Sequence, residues 1–413
     1  MSNPGLSDGQ LLEVLRALEE FHGNKTQAAD SIGVNRNTFI HRLAVAKQRF
    51  DPAAVPISDI DADQNAEGID NQLLKDRIRR LEAQLSTIQR DNLDAEFVKK
   101  KILKLADQPI KPPDWMIKPK AGNESTGVPT LLASDWHWGE VVDARQVNGV
   151  NEYNIGIAQD RAKVMVETTV ELLKQHIKHK QYPGIVFALG GDMVSGDIHE
   201  ELSVSNEKEI MPTVLDLWAT LTWCIDTLAK EFGNVFVPCV TGNHGRNTHK
   251  IRAKGRNFTS FDWLVYQFLA KRFENDKRVR FHIPDGSDAH YQLYNHRYVL
   301  THGDQFRGGD GMIGALGPII RGDHKKRSRN SQIDMEYDTL LLGHWHQLIQ
   351  LQRLIVNGSL KGYDEYAYQN NFPFEPPRQA LWITHEKYGI TFSAPVMVDR
   401  PKGNKKAPWI SWK

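Results

Sequence analysis

The chain has 413 residues, of which 40% are hydrophobic and 25% charged, and 52 Lys and Arg against 51 Asp and Glu leave a net charge of +1. That length suits one large domain with one or two small modules, and the apolar share excludes a wholly disordered or fibrous chain. The balanced charge excludes polyanion binding through overall charge but leaves local basic patches open. The two cysteines, Cys224 and Cys239, exclude a disulfide framework or a thiolate zinc cluster. The start MSNPGLSDGQ lacks a basic segment followed by an apolar run, and no stretch reaches the length that crosses a bilayer. A cytoplasmic protein with no membrane partner is expected.

In chain order, Leu11, Leu12, Val14, Leu15 and Leu18 recur at helical spacing up to a Gly23-Asn24 break. A second helix fits residues 26–31, Gly33 interrupts, and a third helix after Val34 carries Phe39, Ile40 and Leu43 on one face. Residues 51–69, with Pro52, Pro56 and several Asp, are expected to form an acidic flexible linker. Leu74, Ile78, Leu81, Leu85 and Ile88 then alternate in steps of four and three, and Asn92 continues the series. This pattern predicts a coiled-coil neck over 70–105 that pairs two chains, or a helix laying its stripe on its own domain. Pro109, Pro112, Pro113 and Pro119 mark a second linker, 106–127.

From 128 to 399, apolar runs at 131–133, 185–189, 235–240, 298–300 and 340–342 read as buried strands. Amphipathic helices over 160–177, 209–232 and 261–273 separate several of them, which predicts an α/β domain with layered sheets. Pro238 lacks a ladder donor and predicts a sheet edge or a bulge. Residues 400–413 form a tail with Trp409 and Trp412.

Each strand run is followed by residues that ligate metals: Asp135-Trp136-His137, Gly191-Asp192, Gly242-Asn243-His244, His302-Gly303-Asp304 and Gly343-His344-Trp345-His346. Strand ends are where α/β sheets gather ligand-binding loops, and a mixed set of imidazole, carboxylate and amide oxygen suits Mn, Fe or Zn. One such motif means little; five in order are specific. The series resembles the calcineurin-like metallophosphoesterase superfamily over residues 128–395, including phage and bacterial members close to repair nucleases. The resemblance implies an α/β/β/α sandwich with two divalent metal ions, Mn foremost. It implies Asp135, His137 and His346 on one ion, Asn243, His302 and His344 on the other, and Asp192 bridging both, a pair suited to activating water against phosphorus. It implies His244 as general acid at the leaving group. Asn357-Gly358-Ser359 resembles the turn that follows the last motif. The sequence departs from the pattern at Gly245, where the superfamily has an acidic residue, and Asp197, His199, Glu200 and Glu201 are candidates to replace it.

Residues 23–38 resemble the helix-turn-helix of Fis-type regulators. The resemblance implies DNA contact through Asn35, Arg36, Asn37, Thr38, His41 and Arg42, on a stretch from Val34 to Phe50 without an acidic side chain. Two basic loops in the large domain, Arg246, Lys250, Arg252, Lys254 and Arg256, and Arg321, Lys325, Lys326, Arg327 and Arg329, could track phosphates or be solvated surface. The leading expectation is a metal-dependent DNA phosphodiesterase targeted by a small all-α head over 1–50, and forming a homodimer or higher oligomer through its neck. A phosphomonoesterase and a non-catalytic DNA-binding regulator are the alternatives.

Overall fold

The computed structural model describes residues 7–50, 112–118, 127–177, 182–196, 198, 200–307, 314 and 316–400, and the chain divides into two compact units, 1–91 and 92–413. The acidic linker, the heptad series with Asn92, most of the Pro-rich linker, the tail beyond Arg400, Asp197 and His199 lie outside the described residues, as do the side chains of Glu200 and Glu201.

The first unit holds α1 (Asp8–Glu20), α2 (Lys25–Ser31) and α3 (Arg36–Arg49). Each begins at a side chain that accepts N–H groups a helix start leaves unpaired. Ser7 and Gln10 form a reciprocal capping box, Asn24 accepts from Thr26 and Gln27, and Asn35 accepts from Thr38. Gly23 (φ 86°) and Gly33 (φ 67°) make the left-handed turns between the helices. Val14, Ala17, Ala28, Ala29, Phe39 and Leu43 close the core. Ala28 and Ala29 are fully buried, so a larger side chain at either would push α2 off its neighbours.

In the second unit, β1 (Val128–Ala133), β2 (Ile185–Leu189), β3 (Val235–Pro238) and β4 (Val279–His282) run parallel. The antiparallel pair β10 (Arg378–His385) and β11 (Gly389–Met397) extends this sheet beside β1. A second sheet has the order β5-β6-β7-β9-β8, from β5 (Asp288–Leu293), β6 (His296–Thr301), β7 (Thr339–Leu342), β8 (Ile349–Leu351) and β9 (Leu354–Val356). Side chains alternate across each strand, so the first sheet buries both faces. Leu131, Phe187, Leu189 and Val237 join the core shared with α4 (Ile155–Glu171), α5 (Ile210–Phe232) and α6 (Phe261–Arg272). Leu132, Val186, Ala188 and Phe236 meet Tyr291, Tyr298, Leu300 and Leu341 of the second sheet. Val299, Leu340 and Leu342 pack outward with Ile319 of α7 (Leu316–Ser331). The order of layers is α/β/β/α, as expected, and each fully buried aliphatic or aromatic side chain contributes about 1.5–3 kcal/mol.

Three local expectations are corrected. The helix expected over 160–177 starts earlier, at Ile155, because Asn154 caps it, and its last turn, Leu172–His176, widens to a π-helix. Pro238 is on neither an edge nor a bulge: it ends β3, which lies between β2 and β4. The N–H it lacks faces β2, and that ladder resumes at Val240, whose N–H donates to Leu189. The second basic loop is part of α7, where Lys326 and Arg329 bond Asp288 at 2.6 and 2.7 Å and Arg327 bonds Asp323 at 2.8 Å. Gly322 argues against a helix in the sequence, yet it is needed there, since a Cβ would come within 2.4 Å of the Phe306 ring.

Candidate metal centre

All five motifs leave the ends of β1, β2, β3, β6 and β7, and the parallel run of these strands delivers them to one end of the two sheets. Their donor atoms converge in three overlapping groups, Asp135/His137/His346, His137/Asp192/His244 and Asp192/His302/His344, each with its atoms within 4.8 Å of one another. Asp192 and His137 each belong to two groups, so the three form one centre. Within it the Nε2 atoms of His137 and His346 are 3.0 Å apart, and His302 Nε2 lies 2.9 Å from Asp192 Oδ2. Asn243 Oδ1 is buried and has no hydrogen-bond partner among the described residues. A buried amide oxygen left unpaired is costly, and a cation would satisfy it.

The backbone is bent to make this convergence. Among the described residues ten non-glycine positions have positive φ, and five of them are Asp135, His137, Asp192, His344 and His346. Left-handed backbone at residues of these types costs about 1–3 kcal/mol each and persists only where the surrounding structure imposes it. Two glycines permit the close approach: a Cβ on Gly242 would fall 2.0 Å from Asp192 Oδ1, and one on Gly343 would fall 2.4 Å from Asp135 Oδ2. The carboxylates bind the facing loops, with Asp135 Oδ1 accepting from His344 N–H at 2.8 Å and Asp192 Oδ1 from His244 N–H at 2.7 Å.

Outer partners fix the ligand orientations. His302 Nδ1 is 2.9 Å from the Gly190 carbonyl, so it carries the proton and leaves Nε2 facing the centre. His137 Nδ1 lies 3.4 Å from Glu140, whose other oxygen bonds the buried Lys361 at 2.8 Å. Asn357 and Ser359 support the Asp135 loop: the Asn357 amide donates to Leu132 O and Ser134 Oγ, and the Ser359 hydroxyl to Asp135 O. Burial, then the Lys361 charge, holds His137 well below the usual imidazole range, and burial with His302 lowers His344 to about 4. Both rings are therefore neutral and can present a lone pair to a metal. Burial opposes charge on the Asp192–His302 pair, but each partner holds the other ionised, lowering Asp192 and raising His302.

Asp262, at the start of α6, carries no signal in the sequence. It is fully buried, and Oδ2 accepts from the N–H groups of Asp192 (3.1 Å) and Gly242 (2.9 Å) while Oδ1 accepts from Val194 (3.2 Å). Burial, then the nearby Asp192 charge, raises its carboxyl to about 6, against the opposing N–H groups of Gly242 and Val194. Glu140, Lys361 and Asp364 were also missed. Only Glu140, three residues after His137, had a usable signal in its spacing.

Arg246 bonds its own loop, through Nε to Thr248 O, Nη1 to Asn243 O and Nη2 to His249 O. Lys250 and Arg252 are exposed, and a cavity lined by Asn243, Arg246, Thr248, Arg252, Arg256 and Thr259 adjoins the centre. Arg256 is held by Asp304 through two bonds of 2.9 Å. In the head, Arg36, Asn37 and His41 are exposed on α3, while Thr38 and Arg42 are half-buried. Asn35 is exposed too, but its side-chain oxygen is engaged as the cap of α3.

Residues 13–44 match the family model described as bacterial regulatory protein, Fis family. The head is a Fis-type helix-turn-helix. In the second unit the five motifs stand in order at strand ends of an α/β/β/α sandwich, and their donors meet. This is the layering that the resemblance to the calcineurin-like metallophosphoesterases implies. Solved structures similar to the chain include a single mutant of Vps29 from Entamoeba histolytica, at 12% identity, covering 65% of this chain and 99% of that one with a TM-score of 0.26. Another is a conserved uncharacterized protein, a predicted phosphoesterase, from Streptococcus pneumoniae, at 11% identity, covering 66% and 98% with a TM-score of 0.25. No curated protein matches the chain significantly. In neither unit is any described helix long and apolar enough to cross a membrane.

Proposed function

We propose that this protein is a two-metal phosphodiesterase that hydrolyses DNA and is brought to it by its helix-turn-helix head. The observation that carries the reading is the joined donor groups around Asp192 and His137, in a chain that also holds a Fis-type head. The donors fit divalent cations: the imidazoles, two buried carboxylates and the Asn243 oxygen form a nitrogen and oxygen set of the kind that takes Mn, Fe or Zn. Asp135, His137 and His346 would hold one ion, Asn243, His302 and His344 the second, and Asp192 both. Such ions, when bound, supply Lewis acidity toward water and the phosphoryl oxygens.

The chain's own residues do the rest. His244 lies edge-on to His137, with ring centroids 4.5 Å apart, and its backbone N–H is held by Asp192 Oδ1, so its imidazole is placed at the centre to hold a proton for the leaving oxygen. Arg252, which lines the cavity with Asn243, and the exposed Lys250 two residues before it add positive charge where a polymer would continue past the scissile phosphate. On the head, Arg36, Asn37 and His41 would face the groove, with Thr38, Arg42 and Asn35 at its border. Pairing of two chains through the heptad series over 70–105 would set two heads on one duplex. One observation favours a phosphomonoesterase instead: Arg246 directs its donors at carbonyls of its own loop, so they are not turned toward a polymer's phosphates.

The test is incubation of the purified protein with Mn(II), labelled plasmid or oligonucleotide, and a phosphomonoester, for wild type, His244→Ala and Asp192→Ala. DNA cleavage lost in both variants is the expected result. Turnover of the monoester alone would replace this reading with the phosphatase, and DNA binding without turnover in any metal would replace it with the regulator.

A further inference from the structure

Asp262 is buried between two loops that carry proposed ligands, yet it is not itself in a donor group. Its carboxylate takes three backbone N–H groups, two from the Asp192 loop and one from the Gly242 loop. Asp192 also links them, since its Oδ1 accepts the backbone N–H of His244. The Asp262 carboxylate therefore bonds the bridging ligand's loop to the loop of Asn243 and His244. Next to it stands Gly245, on which a Cβ would lie 3.0 Å from Asp262 Oδ1 and 3.1 Å from its Cγ. The absence of a side chain at 245 and the carboxylate arriving from α6 are two sides of one packing arrangement.

We infer that Asp262 is a positioning residue of the two-metal centre, holding the Asp192 and Asn243 loops at the separation that lets both cations bind, in the space beside Gly245. The inference rests on the two-metal reading. A carboxylate suits the task because both its oxygens only accept, so all three N–H groups are served at once. An amide in its place must turn an NH2 toward one side, meeting either the N–H groups of Asp192 and Gly242 or that of Val194. Gly245 is not in the left-handed region, so an L residue is compatible with its backbone. A carboxylate oxygen reaches about 2.4 Å beyond its Cβ. An aspartate at 245 could therefore occupy the vacated volume if Asp262 were truncated.

The experiment titrates Mn(II) into the full-length protein by calorimetry, for wild type, Asp262→Asn, Asp262→Ala and the double variant Asp262→Ala/Gly245→Asp. Wild type should bind two ions. Asp262→Asn, which keeps the shape of the side chain, should weaken at least one of them by about 10- to 100-fold, the usual effect of losing a ligand's supporting partner. The double variant should recover most of the affinity lost in Asp262→Ala, which general damage to the fold would not permit. Two ions bound by Asp262→Asn with wild-type affinity would overturn the inference and leave the two-metal reading standing. Fewer than two ions bound by wild type would overturn that reading, and the inference with it.

Discussion

Five of the proposed metal ligands lie on backbone that few side chains adopt, and Gly242 and Gly343 stand where the Asp192 and Asp135 carboxylates come too close for a Cβ. Gly242→Ala would drive a methyl group into Asp192 Oδ1, 2.0 Å away. It is expected to cost about 1–3 kcal/mol, as overpacking does, visible as a lower melting temperature, and to weaken Mn(II) binding at the Asp192 side. Glu140 acts from one shell further out. It touches His137 at 3.4 Å and is anchored by Lys361, which also bonds Asp364. Glu140→Gln should leave the fold intact and weaken metal affinity about 10- to 100-fold in a Mn(II) titration. Unchanged affinity would show that His137 needs no such support.

Among the elements, α3 and α7 show how polar and basic residues in sequence divide between structure and surface. In α3 the Asn35 oxygen caps the helix while Asn37 is exposed. Asn35→Ala should therefore lower head stability by about 1 kcal/mol in thermal unfolding, whereas Asn37→Ala should weaken DNA binding without altering stability. In α7, Lys326 is buried and depends on Asp288. Burial alone would raise Asp288, but Lys326 and Arg329 lower it to about 2, below the ordinary 3.8. A carboxyl depressed in the folded state adds stability that is complete above its unfolded pKa. That stability, about 2 kcal/mol, is lost as pH falls from 4 toward 2. Asp288→Asn should destabilise the protein by about 3–5 kcal/mol at pH 7 by stranding the lysine, and the gap from wild type should narrow below pH 4. A gap that stayed constant with pH would sink this account.

At the scale of the whole molecule, a site that binds ions only when folded links metal to stability. Chelation should stop turnover and lower the melting temperature by about 5–10 °C, the effect of losing a ligand at about a hundredfold above its dissociation constant, with recovery on adding Mn(II). DNA binding through the head should weaken with salt, with a log–log slope of about −0.9 for each phosphate neutralised. Binding that ignored salt would argue against the basic face of α3 as the contact.

The sequence determined the layered α/β class, because strand runs with buried residues on both faces are visible as continuous apolar stretches. It determined the head's helices and turn, because the spacing of Leu11 to Leu18, the Gly23-Asn24 break and Gly33 are local signals, whereas Asn35's role as the cap of α3 was seen only in the structure. It also determined which strand ends bear donors, since each motif follows its strand within a few residues. What only tertiary structure decided depends on groups distant in the chain: Glu140, Lys361 and Asp364 gathered behind His137, Asp262 between two loops, and the basic run of α7 folded onto Asp288. A caps-and-periodicity reading registers neighbours along the chain. A buried carboxylate that accepts N–H groups from residues 70 positions away leaves no such trace, because its value arises only once the sheets have brought those loops together.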